Sequence, residues 1–159
     1  MTASVPQKRQ GNMKKLNSIK DTLLKKIRYL SENPEKLYLF VDDGGIIATN
    51  EPSLSYEYSY SLNIILEAFP GDQNIVFAVV VEWVKQHQPD ILANPDKRQN
   101  GIRFEADILN NLSANISIDL KLTERVIVTE KDGQYHVDAV PEPENPMDSW
   151  EYLNVRTES

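Results

Sequence analysis

The sequence predicts an α+β fold, a single domain in which two main helices pack on an antiparallel or mixed β-sheet. Three observations predict it: an amphipathic helical stripe near the amino end, a second apolar helix in mid-chain, and several segments that alternate apolar and polar residues. The chain has 159 residues, 40% of them hydrophobic, which is enough for one core and too little for two.

The two ends of the chain differ in composition from the middle. Residues 1–12 lack periodicity and are predicted to form a flexible arm, residues 13–140 the domain, and residues 141–159 an acidic, proline-rich extension. Residues 1–30 contain eight lysines and arginines against one acidic residue, whereas the chain from residue 138 onward contains six acidic residues against one arginine. This asymmetry is compatible with attraction between neighbouring copies and equally with two solvated tails.

The first helix is predicted over residues 13–31. Its apolar side chains recur at spacings of three and four, and they are Leu16, Ile19, Leu23, Ile27 and Leu30. Most of the basic residues lie off this stripe, among them Lys20, Lys25 and Lys26. A basic outer face of this kind suits either nucleic acid or plain solvent, and no specific nucleic-acid partner is expected.

Two short apolar runs around a glycine pair predict a β-hairpin. Residues 37–41 and 46–48 are the predicted strands, and Asp42-Asp43-Gly44-Gly45 supplies the turn residues between them. The aspartates lack the alternating oxygen ligands of a calcium loop, and no Lys-Ser or Lys-Thr follows the glycines as it does in a phosphate loop. We therefore interpret this segment as a turn.

The longest alternation with period two predicts a strand over residues 54–66. Its apolar and aromatic residues, including Tyr56, Tyr58 and Tyr60, share one face, while serine, glutamate and asparagine occupy the other. Strands usually have about 5–6 residues. This one is therefore expected either to be bent by a bulge or to project beyond the domain.

The second helix is predicted between Asp72, which suits its N-cap, and Pro89, which ends it. We expect its apolar side to pack on the sheet with Trp83 in the core; that side comprises Ile75, Val76, Val79, Val80, Trp83 and Val84. Residues 93–101 are polar and are predicted to form a loop.

Two more pairs of strands complete the predicted sheet. Residues 102–108 and 116–122 alternate and are predicted to pair antiparallel, and residues 126–128 and 135–137 flank an Asp132-Gly133 turn of the type I′ kind. Glu124 and Arg125 stand where the register is expected to change. This pair is compatible with a salt bridge within the fold, a contact between subunits, or surface charge.

No residue pattern in the chain predicts catalysis. The sequence has no cysteine, and His87 and His136 are far apart, without a nucleophile or metal-ligand spacing beside them. We interpret His87 as a helix-end residue and His136 as a surface strand residue. No catalytic, cofactor-binding or metal-binding residue is predicted, and the chain is not expected to be an enzyme.

The chain is also not expected to enter a membrane. No apolar run approaches the roughly 20 residues needed to cross a bilayer, and residues 1–12 are polar, unlike a signal peptide. A soluble protein made and used in the cytoplasm is expected.

Five stretches resemble, in order and spacing, the phage tail completion protein R family of temperate phages with contractile tails. They lie between Lys14 and Val137, and they are Phe40-Val41-Asp42-Asp43-Gly44, Ser53-Leu54-Ser55-Tyr56-Glu57 with Tyr60 and Leu62-Asn63, Trp83 with Gln88-Pro89-Asp90, Phe104-Glu105-Ala106-Asp107-Ile108, and Leu120-Lys121-Leu122-Thr123-Glu124-Arg125. No single stretch is diagnostic, and the set of five in order carries the resemblance.

The resemblance implies a structural tail terminator, without catalytic residues or cofactors. Such a protein caps the head-proximal end of the tail tube and sheath as a ring, a hexamer by expectation, and its partners are its own copies, the tube and sheath proteins and the head–tail connector. The alternative is a transient tail-assembly adaptor or chaperone. Candidate subunit contacts are Lys20, Lys25, Lys26, Tyr56, Tyr58, Tyr60, Glu124 and Arg125. Whether the tail is that of an infectious phage or of a headless bacteriocin-type particle is left open by the sequence.

Overall fold

A computed structural model of the chain describes residues 13–141, and the predicted arm and all but the first residue of the predicted extension lie outside this range. The described residues contain two long helices, three short helices, a 3₁₀ turn and five strands. In chain order they are α1 (Lys14–Lys26), α2 (Arg28–Glu32), the 3₁₀ turn (Pro34–Lys36), β1 (Leu37–Ala48), β2 (Tyr56–Phe69), α3 (Gln73–His87), α4 (Asp90–Ala93), α5 (Pro95–Arg98), β3 (Ile102–Asn110), β4 (Ser113–Lys131) and β5 (Gln134–Val140). The predicted α+β fold is confirmed.

All pairings in the sheet are antiparallel, and β4 is its central strand. The order is β1-β2-β4-β3, with β5 also paired to β4. β2 lies along one edge of β4 as far as Val126, and Val126 also pairs with Ala139 of β5. β5 must therefore share the opposite edge with β3, which pairs with β4 only up to Leu120. A gap in the pairing separates β3 from β5 along this edge.

The core lies between one face of the sheet and the two long helices. The predicted stripe of α1 is buried from Ile19 onward, and Trp83 of α3 is only 2% exposed. The sheet contributes alternate residues of β2 and β4, namely Tyr60, Leu62, Ile64, Leu66, Ile116, Ile118, Leu120 and Leu122. The prediction of the core was wrong at Ile75, which is 58% exposed because it lies on the side of α3 away from the sheet.

The predicted hairpin at Asp42-Asp43-Gly44-Gly45 was wrong. β1 continues through it as a bulge, in which Asp43 and Gly44 together oppose Tyr60, and the chain reverses only at residues 49–55. Asp43 adopts a left-handed conformation with φ 52°. Asp and Gly tolerate such a conformation in a bulge as well as in a turn, and this explains the error.

Two predictions about helical segments also need correction. The predicted helix over residues 13–31 is divided at Ile27, whose backbone is extended although its side chain stays in the core. The predicted loop over residues 93–101 contains α5, which begins with Asn94 accepting a hydrogen bond from the amide of Asp96 at 2.8 Å. Asn followed by Pro95 is a helix-start signal that the polar composition of the segment concealed.

The strands are longer than the sequence predicted. β4 runs without a break through Glu124 and Arg125, so the expected change of register there does not occur. β2 has 14 residues, and a bulge near Ala68, which has φ 52°, bends its end. The expected bulge is confirmed. Near the opposite end of β2, residues 41–48 of β1 and residues 129–138 of the β4–β5 hairpin are all exposed.

Candidate functional site

A cluster of polar side chains is buried where α1 meets β4. Its members are Lys15, Tyr60, Gln88 and Glu124, all among the buried residues. Buried polar groups are stable only when hydrogen-bonded. The hydrogen bonds that these four side chains make therefore decide whether the cluster is a structural framework or a reactive site.

Glu124 caps the amino end of α1 from a distant strand. The N-cap residue Met13 makes no side-chain hydrogen bond, and the Glu124 carboxylate instead accepts one from the backbone amide of Lys15 at 3.0 Å. A carboxylate at this end also interacts favourably with the helix dipole. The same oxygen accepts a hydrogen bond from the Tyr60 hydroxyl at 2.8 Å. Burial, reinforced by the charge of Glu124, raises the pKa of Tyr60.

Gln88, just beyond the end of α3, fills the gap between β3 and β5. Its Oε1 accepts hydrogen bonds from Lys15 Nζ at 2.7 Å and from the backbone amide of Thr123 at 3.0 Å. Its Nε2 donates to Asp90 at 2.6 Å and to the Thr123 hydroxyl at 3.1 Å. Burial alone would raise the pKa of Asp90, but hydrogen bonds from Lys97 and Gln88 outweigh it and lower that pKa. Gln88 thus replaces the missing strand partner of β4.

The histidines add no reactive group to this cluster. His87 is the last residue of α3, and its ring stacks on Trp83 with 4.6 Å between centroids. His136 is exposed on β5, as predicted. Between residues 13 and 141, no three His, Cys, Asp or Glu side chains are grouped so as to hold a metal ion. Over the same residues, no helix has the length and apolar character needed to cross a bilayer.

The residues predicted as subunit contacts divide into interior and surface groups. Tyr60 and Glu124 are buried and bonded to each other, whereas Arg125 is exposed on the opposite face of β4. The aromatic rings of β2 form a ladder, with Tyr58 5.8 Å from Tyr60 and 6.3 Å from Tyr56. Both Tyr56 and Tyr58 are half-buried.

The three lysines of α1 named from the sequence have different surroundings. Lys25 and Lys26 are exposed, while Lys20 is half-buried. Lys26 forms an ion pair with Glu82 of α3 at 2.7 Å. The basic face of α1 is therefore partly neutralised within the chain.

An apolar surface lies open on the side of the core next to β3. Phe104 and Ile108 point to the same side of the sheet as the core, but they are 58% and 69% exposed. Phe77 of α3 contacts Phe104 with 4.7 Å between ring centroids, and Val81 follows one helical turn later. We call Phe77, Val81, Phe104 and Ile108 the lateral apolar surface.

A second exposed surface is formed by the strand ends that extend beyond the helices. Ile46 of β1 pairs with Tyr58, and Val137 of β5 pairs with Val128. Ile46 and Val137 are both exposed, as are Ile47 and Tyr135 nearby. We call this four-stranded extension, with Ile46, Ile47, Tyr135 and Val137, the projecting ribbon.

Comparison with known proteins gives the chain its family. The model of the P2 phage tail completion protein R (GpR) family matches residues 13–143, most of the chain. The chain belongs to this family. It is 41% identical over 134 residues to the tail completion protein R of Escherichia phage P2, covering 84% of this chain and 86% of that protein. No solved structure matches it.

The stretches that first suggested the tail completion protein R family converge in the structure. Tyr60, Gln88 and Glu124 come from three of the five stretches and meet in the buried polar cluster, and Asp90, from the same stretch as Gln88, accepts a hydrogen bond from Gln88. Trp83, from one of those stretches, donates from its indole Nε1 to Ser18 of α1 at 2.9 Å. These stretches therefore encode the framework that holds α1 to the sheet.

The lateral apolar surface and two members of the buried polar cluster were missed by sequence reasoning. Lys15 and Gln88 were not candidates, although Gln88 belonged to a recognised stretch. The alternation of residues 102–108 places Phe104 and Ile108 on one face of β3, and in the structure this is the face on the core side of the sheet. No sequence signal showed that the helices stop short of covering that side.

Proposed function

We propose that the chain is a non-enzymatic structural protein of phage tail completion, one that closes the head-proximal end of a contractile tail tube and sheath as a ring. Membership of the tail completion protein R family supports the role in tail completion. The saturated polar cluster agrees with a structural role, because its side chains already hold one another and none is paired as nucleophile and base.

The lateral apolar surface carries the proposal of a ring. Its two β3 residues sit at positions where the rest of the sheet is covered by helices, and yet Phe104 and Ile108 remain open to water. Contiguous exposed apolar groups of this kind mark interaction sites. A neighbouring subunit would cover them in the ring.

A cyclic ring also needs a second, different patch on each subunit, because its contacts are heterologous. The projecting ribbon supplies one, on the part of the sheet that none of the helices between residues 13 and 141 covers. We propose that the ribbon of one subunit contacts the lateral apolar surface of the next. Tyr56 and Tyr58 line the ribbon on its core-facing side, and Arg125 lies on its other face.

The basic face of α1 is proposed as an additional contact. Lys20, Lys25 and Lys26 would lie near an acidic surface of an adjacent chain, with the charge of Lys26 already partly neutralised by Glu82. Exposed pairs contribute only about 0–1 kcal/mol each, so they would orient subunits already held by apolar contacts. Six copies on the tail, together with tube, sheath and head–tail connector proteins, are the proposed partners, and the finished virion tail is the proposed location.

Complementation tests the proposal. A phage or prophage lacking this gene would be supplied with the wild-type chain, with Phe104→Ser/Ile108→Ser, or with Ile75→Ser as a matched control. Ile75 is an equally exposed apolar residue, but it lies on the far side of α3. We expect the double variant to stay folded and to give tails of uncontrolled length or tails without heads, as seen by electron microscopy, while the control gives normal particles.

Normal particles from the double variant would contradict the lateral contact. Mass spectrometry of purified tails provides a separate test, because a ring subunit remains in the particle. Tails that contain no copy of the chain would exclude the ring, and the chain would then act as a transient assembly adaptor.

A further inference from the structure

A groove separates α1 from the end of β5. Its volume is about 840 Å³, and α1 lines it with one face that includes Lys14, Ser18 and Lys25. Ala139, Val140 and Pro141 form the other side. The described chain therefore ends at the edge of this groove.

Asn17 of α1 lines the same groove with an unusual side chain. Both its Nδ2 and its Oδ1 are buried, and neither has a hydrogen-bond partner among residues 13–141. Buried amides are rarely left unpaired, because their desolvation is then uncompensated. A primary amide presents a donor beside an acceptor, which is the complement of a peptide group. The groove is thus suited to an extended backbone.

The segment that follows Pro141 has the composition to fill this groove. Residues 142–159 contain five acidic residues and one arginine, together with the apolar side chains Trp150, Tyr152 and Leu153. Lys14 and Lys25 line the groove, and their charge is partly offset by Asp21 and by Glu124, which also caps α1. Extended, the segment can span up to roughly 60 Å, whereas the 13 residues of α1 are about 20 Å long.

We propose that the carboxyl-terminal segment of the same chain docks in this groove, with a peptide group on Asn17 and acidic side chains near Lys14 and Lys25. The covalent connection at Pro141 favours the chain's own segment over that of a second copy, because it raises the effective concentration. The inference concerns the isolated chain and holds whether or not the ring forms.

Paramagnetic broadening in NMR spectra tests the docking. The chain has no cysteine, so Ser149→Cys in the full chain gives a single nitroxide label on the segment. We expect loss of amide signals from residues 14–25 and from His87, with the signals of β3 retained. Uniform broadening, or none, would overturn the proposal.

Charge variants and a mixing experiment sharpen the result. Lys14→Glu/Lys25→Glu and, separately, Asn17→Ala should each restore the α1 signals, whereas Lys20→Glu, on the same helix but outside the groove lining, should not.

In a mixture of isotope-labelled chains without a nitroxide and unlabelled chains that carry it, we expect no broadening. Broadening in that mixture would show that a second copy supplies the segment, and the proposal of intramolecular docking would be wrong.

Discussion

Gln88 accepts a hydrogen bond from the backbone amide of Thr123 at 3.0 Å, in the gap that β3 and β5 leave along β4. The same oxygen accepts from Lys15 Nζ of α1. A single side chain thus joins the part of the central strand that lacks a strand partner to both long helices. Because Gln88 directly follows the last residue of α3, these hydrogen bonds hold the end of α3 to the sheet.

The first prediction concerns Glu124. Glu124→Ala would leave the Lys15 amide and the Tyr60 hydroxyl buried without an acceptor, and it should lower the free energy of unfolding by about 2–5 kcal/mol. Glu124→Gln keeps an acceptor and should cost less. Urea denaturation measures both, with Glu130→Ala, exposed on the same strand, as the control. A loss under about 0.5 kcal/mol for Glu124→Ala, the range of ordinary surface changes, would contradict the helix cap.

The second prediction concerns Trp83. Trp83→Ala should lower the free energy of unfolding by about 3–5 kcal/mol, because it removes a large core side chain. Trp83→Phe keeps an aromatic ring but loses the hydrogen bond to Ser18, so its loss should be smaller. Thermal and urea unfolding give both values. Wild-type stability for the alanine variant would show that the α1–α3 contact carries little energy.

The third prediction concerns alkaline pH. Burial, followed by the charges of Glu124 and Tyr56, raises the pKa of Tyr58 from 10.0 to about 12. The folded chain therefore keeps a proton that the unfolded chain loses, so the contribution of Tyr58 is complete below pH 10 and is lost as the pH rises toward 12. Tyr58→Phe should flatten the fall in stability over this range, as followed by urea unfolding at each pH. If Tyr58→Phe left the pH dependence of the unfolding free energy unchanged, another group would be responsible for the loss of stability at alkaline pH.

The fourth prediction concerns Gly101. A Cβ at this position would overlap the Ile91 side chain and lie 2.9 Å from the Lys97 carbonyl oxygen. Gly101→Ala should therefore destabilise the chain by about 1–3 kcal/mol. Gly45→Ala is the matched control, since its nearest neighbour would be 3.8 Å away. Equal stabilities of the two variants would show that the segment before β3 moves aside easily.

Local patterns in the sequence were sufficient for most of the fold. Alternation placed the residues of β2, β3 and β4 on their correct faces, and Asp72 caps α3 through the amide of Asn74 as predicted. The bulge at Asp43 was misread because the same residue types suit bulges and turns. Local signals in the sequence therefore located the helices and strands but did not distinguish a bulge from a turn.

The candidate site was less accessible to sequence reasoning, because it depends on distant contacts. Glu124 and Lys15 are 109 residues apart, so no local pattern could pair the carboxylate with the helix end. The lateral apolar surface depends on how far the helices extend over the sheet. How far the helices extend over the sheet is determined by packing of the whole core and not by the alternation of residues in any one strand.

The central position of β4 has a consequence for synthesis on the ribosome. Tyr56 of β2 pairs with Val126 of β4, which is translated 70 residues later, a delay of about 4–14 seconds at typical rates. β1 and β2 can pair earlier as a hairpin, but the backbone groups on the other edge of β2 then remain unpaired and can bind a strand of another chain. Slower translation between β2 and β4 should therefore lower the soluble yield, and early access of a chaperone to β2 should restore it.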